Sequence, residues 1–148
     1  MKNERYISYL NSLHNYNAQN PNAYGEKNVG NEFFQETAVK VGLCSHIQMQ
    51  FLNEEPHILV LTGHAGDGKT SIMYQVLREF NIAFDTEEKI SDVQLPTGKT
   101  CRCIKDYSEL SDADKLSVLK ECITFPQNGK YVFMVSNTGP LINTFGEL

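Results

Sequence analysis

Ile58-Leu59-Val60-Leu61-Thr62-Gly63-His64-Ala65-Gly66-Asp67-Gly68-Lys69-Thr70 is the stretch that decides how this chain is read. Its four uniformly apolar residues suit a strand buried on both faces of a parallel sheet. The eight residues from Gly63 to Thr70 match G-x-x-x-x-G-K-[ST] at every fixed position. Behind them Ile72, Met73, Val76, Leu77 and Phe80 recur at helical spacing, so the motif lies between a strand and an amphipathic helix. With this chain's own composition, accidental matches number on the order of 0.005, which leaves chance a poor explanation.

Each fixed residue has a physical reason. The glycines let the backbone curl so that its N–H groups converge on phosphate oxygens, and the helix N-terminus adds partial positive charge. Lys69 is expected to reach the β- and γ-phosphates as a point charge, and the Thr70 hydroxyl to ligate Mg²⁺. The nucleotide-binding set is thus Gly63, His64, Ala65, Gly66, Asp67, Gly68, Lys69, Thr70 and Ser71. His64 occupies a variable position and reads as loop surface. Asp67 is electrostatically awkward, because a carboxylate beside phosphates repels them; it is expected to turn outward and contact a neighbour. No Asn-Lys-x-Asp element of the guanine-reading kind follows, which favours ATP.

Phosphate binding is not hydrolysis. Hydrolysis also needs an acid near the Mg²⁺ shell and a group that orients the attacking water. Asp106, after Cys101-Arg102-Cys103-Ile104-Lys105, is the candidate metal-shell acid, the alternative being an ordinary capping or turn aspartate. Asn137 stands where a second apolar strand, Tyr131-Val132-Phe133-Met134-Val135, runs out, at the edge where open α/β sheets hold ligands. It is a candidate partner for the γ-phosphate or its water, the alternative being a turn asparagine. The catalytic candidates are Lys69, Asp106 and Asn137, and the metal candidates Thr70 and Asp106.

Around these motifs the chain reads as strands alternating with helices. A helix is expected over about 32 to 52 from Phe34, Ala38, Val41, Cys44, Ile47 and Phe51, with Asn31 as its cap and Pro56 beyond its end. A strand is expected over 99 to 105, and Ser111-Asp112-Ala113-Asp114 resembles a capping box opening a helix with Leu116, Leu119, Cys122 and Ile123. Asn137-Thr138-Gly139-Pro140 reads as a turn. Residues 81 to 98, acidic with Pro and Gly, give no assignment. The fold class is therefore α/β, a mainly parallel sheet flanked by helices. Residues 1 to 31, with eight asparagines, form a polar lead-in with a short helix at 4 to 13, and 32 to 148 the core.

Composition narrows the function classes. The chain has 148 residues, 41% hydrophobic, enough for one domain with its own core. Net charge is -5 and the arginines are Arg5, Arg78 and Arg102, so no basic stripe tracks a nucleic-acid backbone; nucleic acid is expected only indirectly, through partners. No apolar run approaches the roughly 20 residues of a membrane span, and a signal-peptide core is lacking, so the chain reads as cytoplasmic. Cys44, Cys101, Cys103 and Cys122 lack zinc-ligand spacing with the histidines and read as reduced core thiols.

The Gly63 to Thr70 loop, followed by a strand ending Val135-Ser136-Asn137-Thr138-Gly139-Pro140-Leu141-Ile142-Asn143-Thr144-Phe145, resembles the AAA+/STAND-like P-loop ATPases of bacterial defence islands, in particular the DptF-type ATPases of phosphorothioation-dependent DNA restriction. The resemblance covers about 57 to 145 and is specific in the P-loop. It implies ATP-driven conformational switching in a multi-subunit anti-phage or restriction complex, with protein partners or self-oligomers and Asn137 at the sensor position. Three departures stand out: no Asp-Glu pair, Thr70 where such loops more often carry serine, and no assignable arginine finger. The family also implies a further strand and a helical lid beyond Leu148. The chain is then expected to be a fragment, a truncated product or the ordered part of a longer protein, with weak hydrolysis alone. Two other readings remain open, a non-hydrolysing regulatory module and a P-loop small-molecule kinase, the latter disfavoured by the scarcity of arginines for a lid.

Overall fold

A computed structural model describes residues 42–53, 55–85 and 87–148, together with Arg5. Apart from Arg5, the elements expected within residues 1 to 41, including the first half of the long helix, lie outside the described residues. All elements below belong to the unit Val41–Leu148.

Helix α1 (Gly42–Leu52) leads through Pro56 into β1 (Ile58–Gly63), and the glycine-rich loop connects β1 to α2 (Lys69–Glu79). After β2 (Ile90–Gln94) and β3 (Thr100–Ile104) come a 3-10 turn over Tyr107–Glu109, helix α3 (Asp112–Thr124), strand β4 (Tyr131–Asn137) and helix α4 (Thr138–Phe145). The four strands form one sheet in the order β1-β4-β3-β2. β4 is parallel to both β1 and β3, and β2 is antiparallel to β3. The molecule is thus α/β with a mostly parallel open sheet flanked by helices.

The last strand in sequence is the one inserted between β1 and β3. Its residues Tyr131 to Ser136 are all buried, because strands cover both edges and helices both faces. The period-2 alternation of the strand divides them. Tyr131, Phe133 and Val135 join Cys44, Ile47 and Phe51 of α1 and Met73, Val76 and Leu77 of α2 on one face. Val132 and Met134 join Leu119 and Cys122 of α3 and Leu141 of α4 on the other. Cys101 and Cys103, two apart on β3, point to the same face, as their spacing requires.

Two expectations are corrected, and one unassigned segment gains a strand. β1 is covered on both faces only in part, with Leu59 and Leu61 packed on one side and Val60 on the other; it ends the sheet among the described residues, and Ile58 is 37% exposed. Asn137-Thr138-Gly139-Pro140 is not a free turn but the start of α4, where Pro140 in the first helical turn removes an N–H that has no intrahelical acceptor. The unassigned 81 to 98 segment contains β2. Its hairpin to β3 is closed by Leu95 N donating to Lys99 O at 2.9 Å and by Gly98 at φ 78°, left-handed backbone that glycine adopts without a Cβ clash.

Across that hairpin Asp92 faces Arg102, which donates to it from Nε at 2.7 Å and also pairs with Glu121 of α3 at 2.7 Å. The Arg102 hydrogen bonds hold the Asp92 carboxyl below the ordinary 3.8 despite some burial. A depressed carboxyl stabilises the fold above its unfolded pKa, and that contribution disappears as pH falls through the folded value. The pair is half-exposed, so its worth is below about 1 kcal/mol. Asp92→Asn is expected to lower the unfolding midpoint slightly at pH 7, and the difference from the parent is expected to shrink as the pH falls below 3.8 in a pH series of thermal melts.

Candidate functional site

The parallel strands end in a row on one side of the sheet. Gly63 of β1 and Asn137 of β4 are register partners, and the neighbouring Thr62 and Thr138 hydroxyls lie 2.8 Å apart. On the other side of β4, Ile104 pairs with Met134, and Asp106 follows two residues later. The insertion of β4 therefore brings three sequence-distant candidates to one edge: the glycine-rich loop, Asn137 and Asp106.

The loop from β1 to α2 turns on two left-handed glycines. Gly66 and Gly68 take φ of 86° and 74°, and a Cβ on either would meet nothing within 4 Å. Backbone conformation rather than space selects glycine at both. Gly63 differs, since a Cβ there would come within 2.7 Å of Asp67 Oδ2. His64, Ala65, Gly66, Asp67 and Gly68 are exposed, while Lys69, Thr70 and Ser71 are partly buried in the first turn of α2.

Asp67 does not turn outward. Its Oδ2 accepts from the backbone N–H of His64 at 2.7 Å, folding the carboxylate back over the start of the loop into the space left by Gly63. An inward loop N–H attracts the nearest acceptor, and a carboxylate three residues on is close enough to supply one. The Lys69 ammonium donates to the carbonyl of His64. His64 is exposed, and all three of its described bonds use its backbone.

Thr70 Oγ1 points to the end of β3, donating to the carbonyl of Lys105 at a long 3.4 Å. Lys105 is 5% exposed, and its ammonium lies 5.8 Å from the centre of the Tyr74 ring of α2. Asp106 is partly buried and caps the Tyr107–Glu109 turn, its Oδ1 accepting from Ser108 N at 3.0 Å. The capping alternative weighed for this residue is thus a fact of its geometry; among the described bonds Oδ2 takes no part. Asn137 is the N-cap residue of α4, yet its side chain makes no capping hydrogen bond.

Ser108, Ser136 and Lys105 drew no attention in the sequence. Ser108 and Ser136 carry no motif, and only the pairing of β3 beside β4 brings them together, with hydroxyls 3.4 Å apart.

Among the described residues no three His, Cys, Asp or Glu side chains gather as a metal site. Mg²⁺ on a nucleotide takes most ligands from phosphate and water, so one hydroxyl and one carboxylate suffice from the protein. No helix among the described residues is long and apolar enough to cross a membrane. No family model, curated protein or solved structure matches the chain.

Proposed function

We propose that the chain is an Mg²⁺-dependent ATP-binding module of the P-loop kind, an ATPase that switches conformation within a multi-subunit bacterial defence or restriction complex. The observation that carries the nucleotide reading is the coincidence of the full G-x-x-x-x-G-K-[ST] motif with a strand-to-helix loop whose Gly66 and Gly68 are left-handed. The defence setting rests on the sequence resemblance alone. In this reading the loop N–H groups and Lys69 hold the phosphates, Thr70 and Asp106 hold Mg²⁺, and Asn137 orients the attacking water. A bound Mg²⁺ would supply neutralisation of the phosphate charge.

A non-hydrolysing regulatory module is the second reading, and two bonds favour it. Asp106 is engaged in capping its turn, and Lys69 is held by the loop's own carbonyl. The kinase reading has less support: Arg102 is committed to Asp92 and Glu121, away from the loop.

Equilibrium titration of the chain with ATP and ADP, with and without Mg²⁺, tests the nucleotide reading, and absence of binding would reject it. Asp67 gives it a sharper form. Its carboxylate sits on a loop N–H and would repel a phosphate bound in the loop, so Asp67→Asn is expected to tighten ATP binding about fivefold, the worth of removing one unit charge near 4 Å in water. An unchanged or weaker Kd in calorimetry would mean that the carboxylate does not face the phosphates.

A further inference from the structure

We propose that Ser108 is a positioning residue that locks the acid after β3 to the amide at the end of β4; this rests on the nucleotide reading above. Ser108 is the central residue of the Tyr107–Glu109 turn. Its backbone N donates to Asp106 Oδ1 at 3.0 Å, and its Oγ accepts from the backbone N of Asn137 at 2.7 Å. One residue thereby touches both candidate groups.

The hydroxyl protons fix the direction of the remaining bonds. A serine carries one proton to donate. Ser136 Oγ donates to Asn137 O at 2.9 Å, so in the 3.4 Å contact between the two hydroxyls Ser108 is the donor. Asn137 is thus held at both backbone groups, its N–H by Ser108 and its carbonyl by Ser136. Ser136 is fully buried, and Tyr107 beside Ser108 is fully buried, so the clamp is anchored in the core.

The clamp acts on a residue whose side chain makes no capping bond. An asparagine at an N-cap ordinarily spends its side-chain oxygen on the first N–H groups of the helix. Here Pro140, third in the helix, has no N–H to give, and the carboxamide makes no capping bond. The clamp holds the backbone of this residue, the register partner of Gly63 at the head of the loop, while its carboxamide stays outside the described bonds. Asp106 likewise keeps Oδ2 outside the described bonds. A shift of Asp106 toward a metal ion would pull the Ser108 turn and, through it, the backbone of Asn137.

The test is the affinity of a fluorescent ATP analogue for the full chain in EDTA and in Mg²⁺, compared for the parent, Ser108→Ala, Ser108→Thr and Lys69→Ala. Ser108→Ala is expected to keep its EDTA affinity within about twofold and to lose about fivefold of the Mg²⁺-dependent gain, the worth of one hydrogen bond. Ser108→Thr, which retains the hydroxyl, is expected to restore the gain; a residue needed only for packing would not show a loss confined to the Mg²⁺ arm. Where Ser108→Ala does not fold, Ser108→Cys keeps the bulk but accepts poorly and is expected to show the same loss. A full Mg²⁺ gain in the alanine or cysteine variant, or no rescue by threonine, overturns the clamp while leaving the nucleotide reading intact. No binding by the parent in either buffer, with Lys69→Ala indistinguishable from it, overturns both.

Discussion

Lys69→Ala is expected to weaken ATP binding at least a hundredfold, the largest functional effect of any single change in this chain. Lys69 stands one residue inside α2, where the helix N-terminus already favours an anion, and it is the loop's own cation. Charge-assisted bonds to phosphate contribute roughly 1.5 to 3 kcal/mol each, and one ammonium bridging two phosphates makes about two of them. In the structure its ammonium rests on the His64 carbonyl, a neutral partner within the same loop. Phosphate offers a charged partner instead, so the exchange is favourable, and deletion of the side chain removes it without disturbing the core. Calorimetric titration of parent and variant, with thermal melts to verify folding, decides the matter. Equal affinities would remove Lys69 from the site and with it the main support for nucleotide binding.

Phe133→Ala is expected to be the most damaging change to stability. Phe133 is fully buried at the centre of β4, paired through its backbone with Leu59 on one side and Cys103 on the other. Its ring centre lies 5.2 Å from that of Phe51 on α1, with the planes tilted at 59°. Truncation removes the ring from water-free surroundings and leaves a cavity between helix and sheet, a loss of about 3 to 5 kcal/mol. Domains of this size hold only about 5 to 15 kcal/mol, so a large share of the folded state's margin would go. Urea unfolding should show a midpoint lower by about 2 M with an unchanged slope. A shift below about 0.5 M would mean that α1 settles onto the sheet and fills the space.

The legibility of the fold follows from how each segment stores its information. β1, the loop and α2 were readable because three local patterns, an apolar run, a motif and a helical stripe, agree over 58 to 80. The start of α3 was readable because Ser111 does what a capping serine does: its side chain accepts from Asp114 N at 3.2 Å. β2 was missed although a signal was present. Pro96-Thr97-Gly98 marks the hairpin, but Ile90-Ser91-Asp92-Val93-Gln94 has only two apolar residues, and the Asp92–Arg102 pair that matches the strands becomes visible only once their register is known. The start of α4 was misread because Asn, Gly and Pro favour turns and helix first turns alike, and no residue between 137 and 140 distinguishes them.

The candidate site divides in the same way. Gly63 to Ser71 is contiguous in sequence and could be named from it. Asp106 and Asn137 were reached from their positions at strand ends, whereas their relation through Ser108 spans 29 residues and exists only in three dimensions. For Asp67, repulsion from a ligand predicts an outward carboxylate, and the loop's own N–H draws it back instead.

The four buried cysteines have a consequence outside function. Cys44, Cys101, Cys103 and Cys122 are buried thiols outside any disulfide; burial pushes the Cys122 thiol up to about 11, and the proximity of Cys103 together with burial raises Cys101. Thiolate is the reactive form, so the native core is silent to alkylating reagents, and labelling of these four positions reports opening of the fold. The sequence has no tryptophan, the usual optical reporter. The sulfurs take its place: they give this protein an intrinsic clock for its own opening, one that any ligand binding only the closed form will slow.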